Sequence, residues 1–565
     1  MTEEEKDEQF YRDTESIAFP KLSNVQMALL AKIGTMRILR RGEPVFTAGQ
    51  RDMPLTVVIS GEIEVFDLRD GHEMILATHG PRDFVGDVSM LNGTCAISSG
   101  RGKADISEIL EIPAASLRKA LAELPGVGEP VTQAFIMRRK RLQRDKEFAG
   151  MRIVAEDTCR EAQKIHDFLD KNHFPHRLID IESSDGQALR ERYPAIREGL
   201  PILIDNDGTT HLRPTLREVA LLAGFLRPVT GEGVTKTFCD LVVVGAGPAG
   251  LSAALNAASE GLETIVLESY APGGQAASSS LIENFFGFPT GISGGELTNR
   301  AQLQAYRFGA QFSNPAQALS LQFLEGDHPF AITVEHCPAT VCAKSVLIST
   351  GANYRRLEAE GRERFEGVGV YYAATAMEAG NCRNVTVIVA GAGNSAGQAA
   401  MYLSESAANV ILVVRGGDLT KSMSTYLSRR VEHTPNIEIC YNTEIRKMSG
   451  GEHLASVEIE NALTHERRTI FTPAVFSMIG AKPCTDWVPE EIERDEKLFI
   501  KTGAAVAGAE HWKGRDRGPE LMETSYPGIF AAGDVRSGSV KRCAAAVGEG
   551  GMAVEGIHRL LGTYS

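Results

Sequence analysis

The chain has 565 residues, is 43% hydrophobic and carries a formal net charge of −14. That length implies several domains, and the acidic balance excludes nucleic acid or anionic membrane as a general partner, because such faces need clustered cations. The 9 cysteines are scattered without a C-x-x-C pair, every apolar run is broken by glycine or charge before it reaches a membrane span, and Met1-Thr2-Glu3-Glu4-Glu5-Lys6 lacks the basic and apolar regions of a secretion signal. Reduced thiols in the cytoplasm, with no membrane segment, are the expectation.

Residues 1–20 read as a polar, mobile lead-in. A domain at residues 21–147 follows, in which short alternating strands are punctuated by glycine, as in Gly42-Glu43-Pro44-Val45-Phe46 and Leu55-Thr56-Val57-Val58-Ile59-Ser60-Gly61. This pattern predicts an α+β unit built on a small β-roll. A helix begins near residue 114 and ends in Arg138-Arg139-Lys140-Arg141, which reads as a solvated face. The roll resembles the cyclic-nucleotide-binding domain of catabolite-activator-type regulators, with Phe84-Val85-Gly86-Asp87-Val88-Ser89-Met90-Leu91-Asn92-Gly93 as its phosphate cassette. It departs from that family twice. Asp87 stands for the ribose-binding glutamate, and Thr94-Cys95-Ala96-Ile97 offers no arginine for the cyclic phosphate. A phosphate without its cation forfeits a charge-assisted bidentate pair. Weak cyclic-nucleotide binding or none is therefore expected, and a fold retained for docking or dimerisation is at least as good a reading.

Residues 148–227 alternate strand and helix, with Ile153-Val154-Ala155, Leu178-Ile179-Asp180 and Ile202-Leu203-Ile204 as strands. The order resembles a thioredoxin or glutaredoxin fold, with Leu200-Pro201 at the cis-proline position and Thr158-Cys159-Arg160-Glu161-Ala162 as the active-site turn. On that alignment Cys159 is the attacking thiol, favoured as thiolate by a helix N-terminus, and Ala162 replaces the resolving cysteine. The alternative, that the domain is a spacer and Cys159 incidental, stays open. Residues 228–236 read as a linker.

At residue 240 the character changes. The buried strand Leu241-Val242-Val243-Val244 runs into Gly245-Ala246-Gly247-Pro248-Ala249-Gly250, then an Ala-rich helix, then Thr264-Ile265-Val266-Leu267 ending in Glu268. This is the dinucleotide fingerprint between two strands: Gly245 for the turn, Gly247 for approach of a pyrophosphate, Gly250 for helix packing, and Glu268 for a ribose hydroxyl. Pro272-Gly273-Gly274-Gln275, Ile282-Glu283-Asn284-Phe285, Gly528-Ile529-Phe530-Ala531-Ala532-Gly533-Asp534 and Arg542-Cys543-Ala544 follow, and with the fingerprint they resemble the FAD-contacting motifs of the low-molecular-weight thioredoxin reductase family in order. The resemblance covers residues 236–565. It implies that Gly274, Gln275, Asn284, Gly533, Asp534, Arg542, Cys543 and Ala544 join the fingerprint residues around FAD.

A second strand and turn, Val385-Thr386-Val387-Ile388-Val389 into Gly391-Ala392-Gly393-Asn394-Ser395-Ala396, lies inside the first unit. The family inserts its pyridine-nucleotide domain in this way, so two Rossmann-like three-layer domains are expected: FAD at 237–353 and 480–565, NAD(P) at 354–479. Gly391, Gly393, Asn394, Ser395 and Ala396 are the expected nucleotide turn, and Arg415 is the expected phosphate cation. The family places consecutive arginines there, whereas Gly416 and Gly417 follow here; NADPH is favoured over NADH because no acid ends the strand. At Tyr371-Tyr372-Ala373-Ala374-Thr375-Ala376 the family's redox cysteines are replaced by Ala373 and Ala376, so its dithiol relay cannot run there. Cys337 and Cys342 fall on an apparent surface hairpin.

The reading is a multidomain FAD-dependent NAD(P)H oxidoreductase, a homodimer, without a metal site. Its acceptor is a small molecule or small redox protein, and not a thiol. A disulfide reductase using Cys159 and a flavin-based sensor are the alternatives. Hydride transfer demands no protein acid or nucleophile, so none is assigned and Cys159 is the sole thiol candidate.

Overall fold

The computed structural model describes residues 3–562 except 70–71, 146–149, 227–234, 280–281, 283–284, 338, 366–368, 372–373, 375–381 and 452. The 228–236 linker, Asn284 and the Ala373 and Ala376 positions therefore fall wholly or largely outside the described residues. The N-terminal roll consists of two antiparallel sheets. One orders Thr35–Arg40, Ile106–Ile112, Leu55–Ser60 and Phe84–Val85; the other orders Pro44–Phe46, Ser99–Gly102, Ile63–Arg69 and His72–His79. Leu39, Leu55, Val57, Ile63, Phe84 and Ile109 are fully buried in one shared core, which is what the alternating pattern requires. Helices α1 (Glu3–Ala18) and α2 (Asn24–Leu30) precede the roll, α3 (Ser89–Asn92) lies in the cassette, and α4 (Ala114–Glu123) and α5 (Pro125–Arg144) close it.

Two expectations are overturned together. The polar lead-in is helical, and the basic run on α5 is not solvated, because Arg138 and Arg139 are buried. Arg138 donates to the carbonyls of Ala18 and Gly86 at 2.8 Å each and lies over the rings of Phe19 and Phe84. Arg141 donates to the Tyr11 carbonyl at 2.9 Å and pairs with Glu15 at 2.7 Å. A buried guanidinium is tolerated where acceptors surround it, and the lead-in folds because it supplies them.

The next unit orders His176–Asp180, Met151–Ala155, Ile202–Ile204 and Thr210–Leu212, the first pair parallel and the rest antiparallel. Helices α6 (Arg160–Lys171), α7 (Ser184–Arg192) and α8 (Leu216–Ala223) cover it, α8 opening with a Thr215/Glu218 capping box. This is the expected thioredoxin-like order, and the Leu200–Pro201 bond is cis.

In the C-terminal half the strands Gln311–Ser313, Thr264–Leu267, Lys236–Val244 and Thr340–Ile348 are parallel, and Ile529–Ala531 joins Thr340–Ile348 from far along the chain. Helices α9 (Pro248–Ser259), α10 (Gly274–Ala277) and α11 (Gly294–Arg307) follow the first strands. A separate parallel sheet of Val370–Tyr371, Val475–Ser477, Thr386–Ala390, Asn409–Val413 and Ile437–Cys440, with α12 (Asn394–Ser404) and α13 (Thr425–Glu432), interrupts it; α14 (Cys543–Leu561) completes the outer unit. Cys342 is not on a surface hairpin: it is buried at 1% exposure in Thr340–Ile348, with Cys337 in the turn before it. No helix among the described residues is long and apolar enough to cross a membrane.

The units are docked closely. Cys95 N–H donates to the Ala223 carbonyl at 3.1 Å, Lys140 pairs with Glu296 on α11 at 3.3 Å, and Asn314 N–H donates to the Phe225 carbonyl at 3.0 Å.

His79 provides a measurable signature of the roll. It is 4% exposed, and burial, reinforced by the charges of Arg138 and Lys21, pulls its imidazole down to about 3. The unfolded chain takes up that proton near about 6.5. Between these values the unfolded state binds more protons, so stability is lost as pH falls through the window. Calorimetry should show the roll's thermal midpoint dropping on acidification from about pH 6.5 towards 4, with a shallower slope in His79→Leu.

Candidate functional site

Both dinucleotide turns open into one cleft of about 2000 Å³ between the outer and inserted units. In the first turn Gly245 adopts φ +101°, and a Cβ there would strike the Ser349 backbone. Its N–H donates to the Leu267 carbonyl at 2.8 Å, locking the turn between the strands. Gly247 caps α9 with extended backbone and faces the cleft with nothing within 4 Å of where a side chain would begin. Gly250 is the opposite case, since a Cβ would collide with the Gly245 carbonyl. The three glycines thus have three distinct physical demands.

Glu268 closes this end. Ala246 N–H donates to one carboxylate oxygen at 2.8 Å and Tyr270 N–H to the other at 3.0 Å. Burial, only partly offset by these bonds, holds the carboxyl above the usual range. Opposite, Gly533 N–H donates to buried Glu549 at 2.7 Å, which fixes the turn carrying Asp534. Burial raises the Asp534 carboxyl against the pull of Lys541. Arg542 caps α14, whose N-terminus therefore meets the cleft alongside that of α9, and the two helices are tied by Ser252 Oγ donating to the Val547 carbonyl at 2.8 Å.

The second turn repeats the logic. Gly391 has φ +142°, and a Cβ there would strike the Met478 carbonyl, while Gly393 caps α12 and faces the cleft. Asn394 Oδ1 accepts from Ser424 N–H at 2.8 Å, drawing the 415–424 segment over the turn. Arg415 is exposed on the cleft wall. Helix N-termini bring free N–H groups and positive dipole ends to each turn, a setting for diphosphate groups.

Residues 239–550 match the pyridine nucleotide-disulphide oxidoreductase family. The chain belongs to that family. A thioredoxin reductase of Treponema pallidum is 34% identical over 318 residues, 56% of this chain and 95% of its own length. A 34.2 kDa protein in the rubredoxin operon of Clostridium pasteurianum is 32% identical over 317 residues, covering 56% of this chain and 94% of that protein. Among solved structures, the Lactococcus lactis thioredoxin reductase in its FR conformation matches with 28% identity and a TM-score of 0.50, covering 57% of this chain and 99% of that one. Residues 36–123 match the cyclic nucleotide-binding domain. The oxidoreductase part is accordingly thioredoxin reductase-like, and the cofactors of that family are FAD and NADPH.

The residues present fit those groups: two open cradles, each with a capping glycine, and the buried carboxylate of Glu268 held by backbone N–H groups beside the first. Of the residues singled out in the sequence, Gly245, Gly247, Pro248, Ala249, Glu268, Gly274, Gln275, Gly533, Asp534, Arg542 and Cys543 line the cleft, as do Gly391, Gly393, Asn394, Ser395 and Arg415. Gly250 and Ala396 are buried behind the turns, and Ala544 is exposed outside the lining. Cys159 is also outside it, capping α6 with its sulfur 3.7 Å from Glu161. Sequence reasoning missed Cys484, Lys541, Arg356, Tyr426 and Arg430 on the cleft wall. Lys541 sits directly beside the Arg542 motif, whereas Cys484, Arg356, Tyr426 and Arg430 belong to no motif read from the sequence.

The contrast between Gly247 and Gly250 is testable. Gly247→Val should leave the apoprotein's thermal midpoint nearly unchanged while weakening FAD binding by more than about tenfold, since its side chain enters only the cradle. Gly250→Val should fail to fold or lose about 3 kcal/mol or more from overpacking. Thermal scans and FAD titration of both variants check the pair.

Proposed function

We propose that the chain oxidises NADPH through FAD and delivers electrons to an acceptor other than a protein disulfide, such as a quinone, an iron–sulfur protein or dioxygen. The observation that carries this reading is the thiol chemistry of the cleft. Alanine stands at 373 and 376, and the two cysteines on the cleft wall are poor nucleophiles. Burial, with Asp534 nearby, pushes the Cys543 thiol up to about 11, and burial also raises Cys484. Thiol–disulfide exchange needs a thiolate, which neither supplies near neutral pH.

On this reading Gly245, Gly247, Pro248, Ala249, Gly250 and Glu268 hold the adenosine and pyrophosphate portions of FAD. Gly274, Gln275, Asn284, Gly533, Asp534, Arg542, Cys543 and Ala544 hold the remainder. Gly391, Gly393, Asn394, Ser395 and Ala396 form the NADPH turn, with Arg415 as the cation for its extra phosphate. When bound, FAD supplies hydride acceptance and onward electron transfer. The residues bind and orient: Gln275 donates its side-chain amide to the Ala352 carbonyl, and Lys541 donates to the Asp534 carbonyl at 3.0 Å, fixing the walls on either side.

The roll reads as a docking module. Its cassette carboxylate, Asp87, is already engaged by Arg139, with the guanidinium Nε at 3.2 Å, and by Ser89 N–H at 2.9 Å. Burial alone would raise that carboxyl, but Arg139 and Ser89 outweigh it and keep it below the usual range. Arg101 is committed to Glu64 at 2.7 Å and Glu73 at 2.8 Å. The backbone at Cys95, where a cyclic phosphate would sit, is bonded to α8.

An NADPH-coupled assay should show turnover with small quinones and no thioredoxin-dependent oxidation, in wild type and Cys159→Ser alike. Thioredoxin-dependent turnover lost in Cys159→Ser would move the relay to the thioredoxin-like unit, and absence of any turnover would favour a sensor. Arg415→Ala should raise KM for NADPH by about tenfold or more while changing that for NADH less than about twofold. Calorimetry with cyclic AMP should detect no binding at micromolar concentrations and turnover should not respond; a micromolar isotherm would reject the docking reading.

A further inference from the structure

The sharpest unexplained feature is a tyrosine that leaves the nucleotide-binding sheet and enters a different unit. Tyr270 lies two residues beyond Glu268, and its N–H donates to that carboxylate at 3.0 Å. Its side chain packs into the apolar cluster of the thioredoxin-like unit with Ile165, Phe168 and Phe225. The ring meets Phe168 edge-on at 5.5 Å, the hydroxyl donates to Asp167 Oδ2 at 2.7 Å with the Lys164 carbonyl also in reach at 3.3 Å, and the Lys171 ammonium lies 5.4 Å from the ring centre. All of these partners belong to α6.

A second strut reaches the same acid from the same unit. Asn314 N–H donates to the Phe225 carbonyl at 3.0 Å and its side-chain amide to Asn172 Oδ1 at 2.5 Å. The residues flanking Asn314 hold the Glu268 backbone: Glu268 N–H donates to the Ser313 carbonyl at 3.0 Å, and Ala316 N–H donates to the Glu268 carbonyl at 2.7 Å. The Glu268 main chain is thus bonded to neighbours of Asn314, and its carboxylate to Tyr270 as well as to Ala246 within the nucleotide fold, so each has one link that leads to the thioredoxin-like unit.

We propose that Tyr270 is a positioning residue for Glu268, and that docking of the thioredoxin-like unit and binding of FAD are mutually favourable because both require Glu268 in this one orientation. The inference rests on the reading that Glu268 meets the FAD ribose. An acid held in its accepting orientation before the cofactor arrives avoids the ordering cost at the moment of binding. Linkage makes the coupling reciprocal, so FAD must also steady the docked α6. The role assigned to the thioredoxin-like unit is structural support of the flavin site from outside the nucleotide fold.

The test uses full-length protein stripped of FAD and titrated with FAD by flavin fluorescence quenching. Tyr270→Phe, which keeps the N–H but loses the hydroxyl, and Asp167→Ala, which lies wholly outside the nucleotide fold, should each raise the Kd for FAD by about three- to tenfold, the range for one lost hydrogen bond. The double variant should be no weaker than Tyr270→Phe alone, since both changes remove the same hydroxyl–carboxylate bond. Hydrogen exchange across α6 should slow when FAD is added to wild type and not when it is added to Tyr270→Phe. A merely structural tyrosine would not move exchange in α6 with the ligand. A Kd within about twofold of wild type in both singles, or FAD-independent exchange in wild-type α6, overturns the inference. If either single variant fails to fold, the other and the wild-type exchange experiment decide it. Glu268→Ala separates the two levels: unchanged FAD affinity in that variant overturns the reading of the site itself, whereas weakened affinity there with both singles neutral overturns only the coupling.

Discussion

The arrangement of this molecule depends on four consecutive basic residues on α5. Arg138 and Arg139 are buried, and a buried guanidinium without acceptors costs several kcal/mol. The chain meets that demand by wrapping around them: Ala18 ends α1 against Arg138, Gly86 and Asp87 bring the cassette to Arg138 and Arg139, Tyr11 and Glu15 take Arg141, and Glu296 takes Lys140. One helical turn therefore fixes the N-terminal helix, closes the cassette on itself and ties the roll to α11. That helix carries the constraint onward, because Thr298 and Gly294 pack so closely against Gly273 and Ala276 that no added side-chain atom would fit at either glycine. The cleft-lining turn at Gly273 and Gly274 is thus braced from the roll, while Glu268 at the other side of the fingerprint is braced from the thioredoxin-like unit.

On the proposed docking reading, that bracing is what the roll contributes without a ligand. In a cyclic-nucleotide receptor the cassette carboxylate and a cation must be free until the ligand arrives; here Arg139 and Ser89 satisfy the carboxylate, and Arg101, the first arginine after the cassette, is held by two glutamates. A site whose charges are mutually satisfied gains little from an incoming phosphate, because any new pair must first break an existing one.

What was legible in the sequence follows the range over which each feature is determined. The fingerprint at Gly245, Gly247 and Gly250 was readable because turn, cradle and helix contact are set within six residues, and the second turn at Gly391 and Gly393 for the same reason. The thioredoxin-like order was readable from alternating strands and helices. Arg138 and Arg139 were misjudged as a solvated face because charge alone does not say where acceptors lie, and theirs are carbonyls and a carboxylate some 50 to 120 residues away in sequence. The lead-in was misjudged with them, since its folding depends on those same cations. Cys342 reads as a hairpin residue locally and is buried only because the strand after the turn is central to the sheet. Tyr270 and Asn314 carry no motif, and their significance exists only once two units are packed.

The docking geometry also bears on the route electrons take. The thioredoxin-like unit meets the nucleotide unit through the flank of α6 around Asp167, Phe168 and Lys171, whereas Cys159 caps the opposite end of that helix. The nearest point of that contact on α6, the Lys164 carbonyl, is five residues from Cys159, about 7.5 Å along the axis, and the thiol does not line the cleft. A movement of α6 that carried Cys159 into the cleft would break Tyr270–Asp167 and the Asn314 bonds to the thioredoxin-like unit. On the proposed coupling, that motion weakens the hold on FAD at the moment FAD must react. The proposed acceptor, entering the open cleft directly, leaves both struts intact.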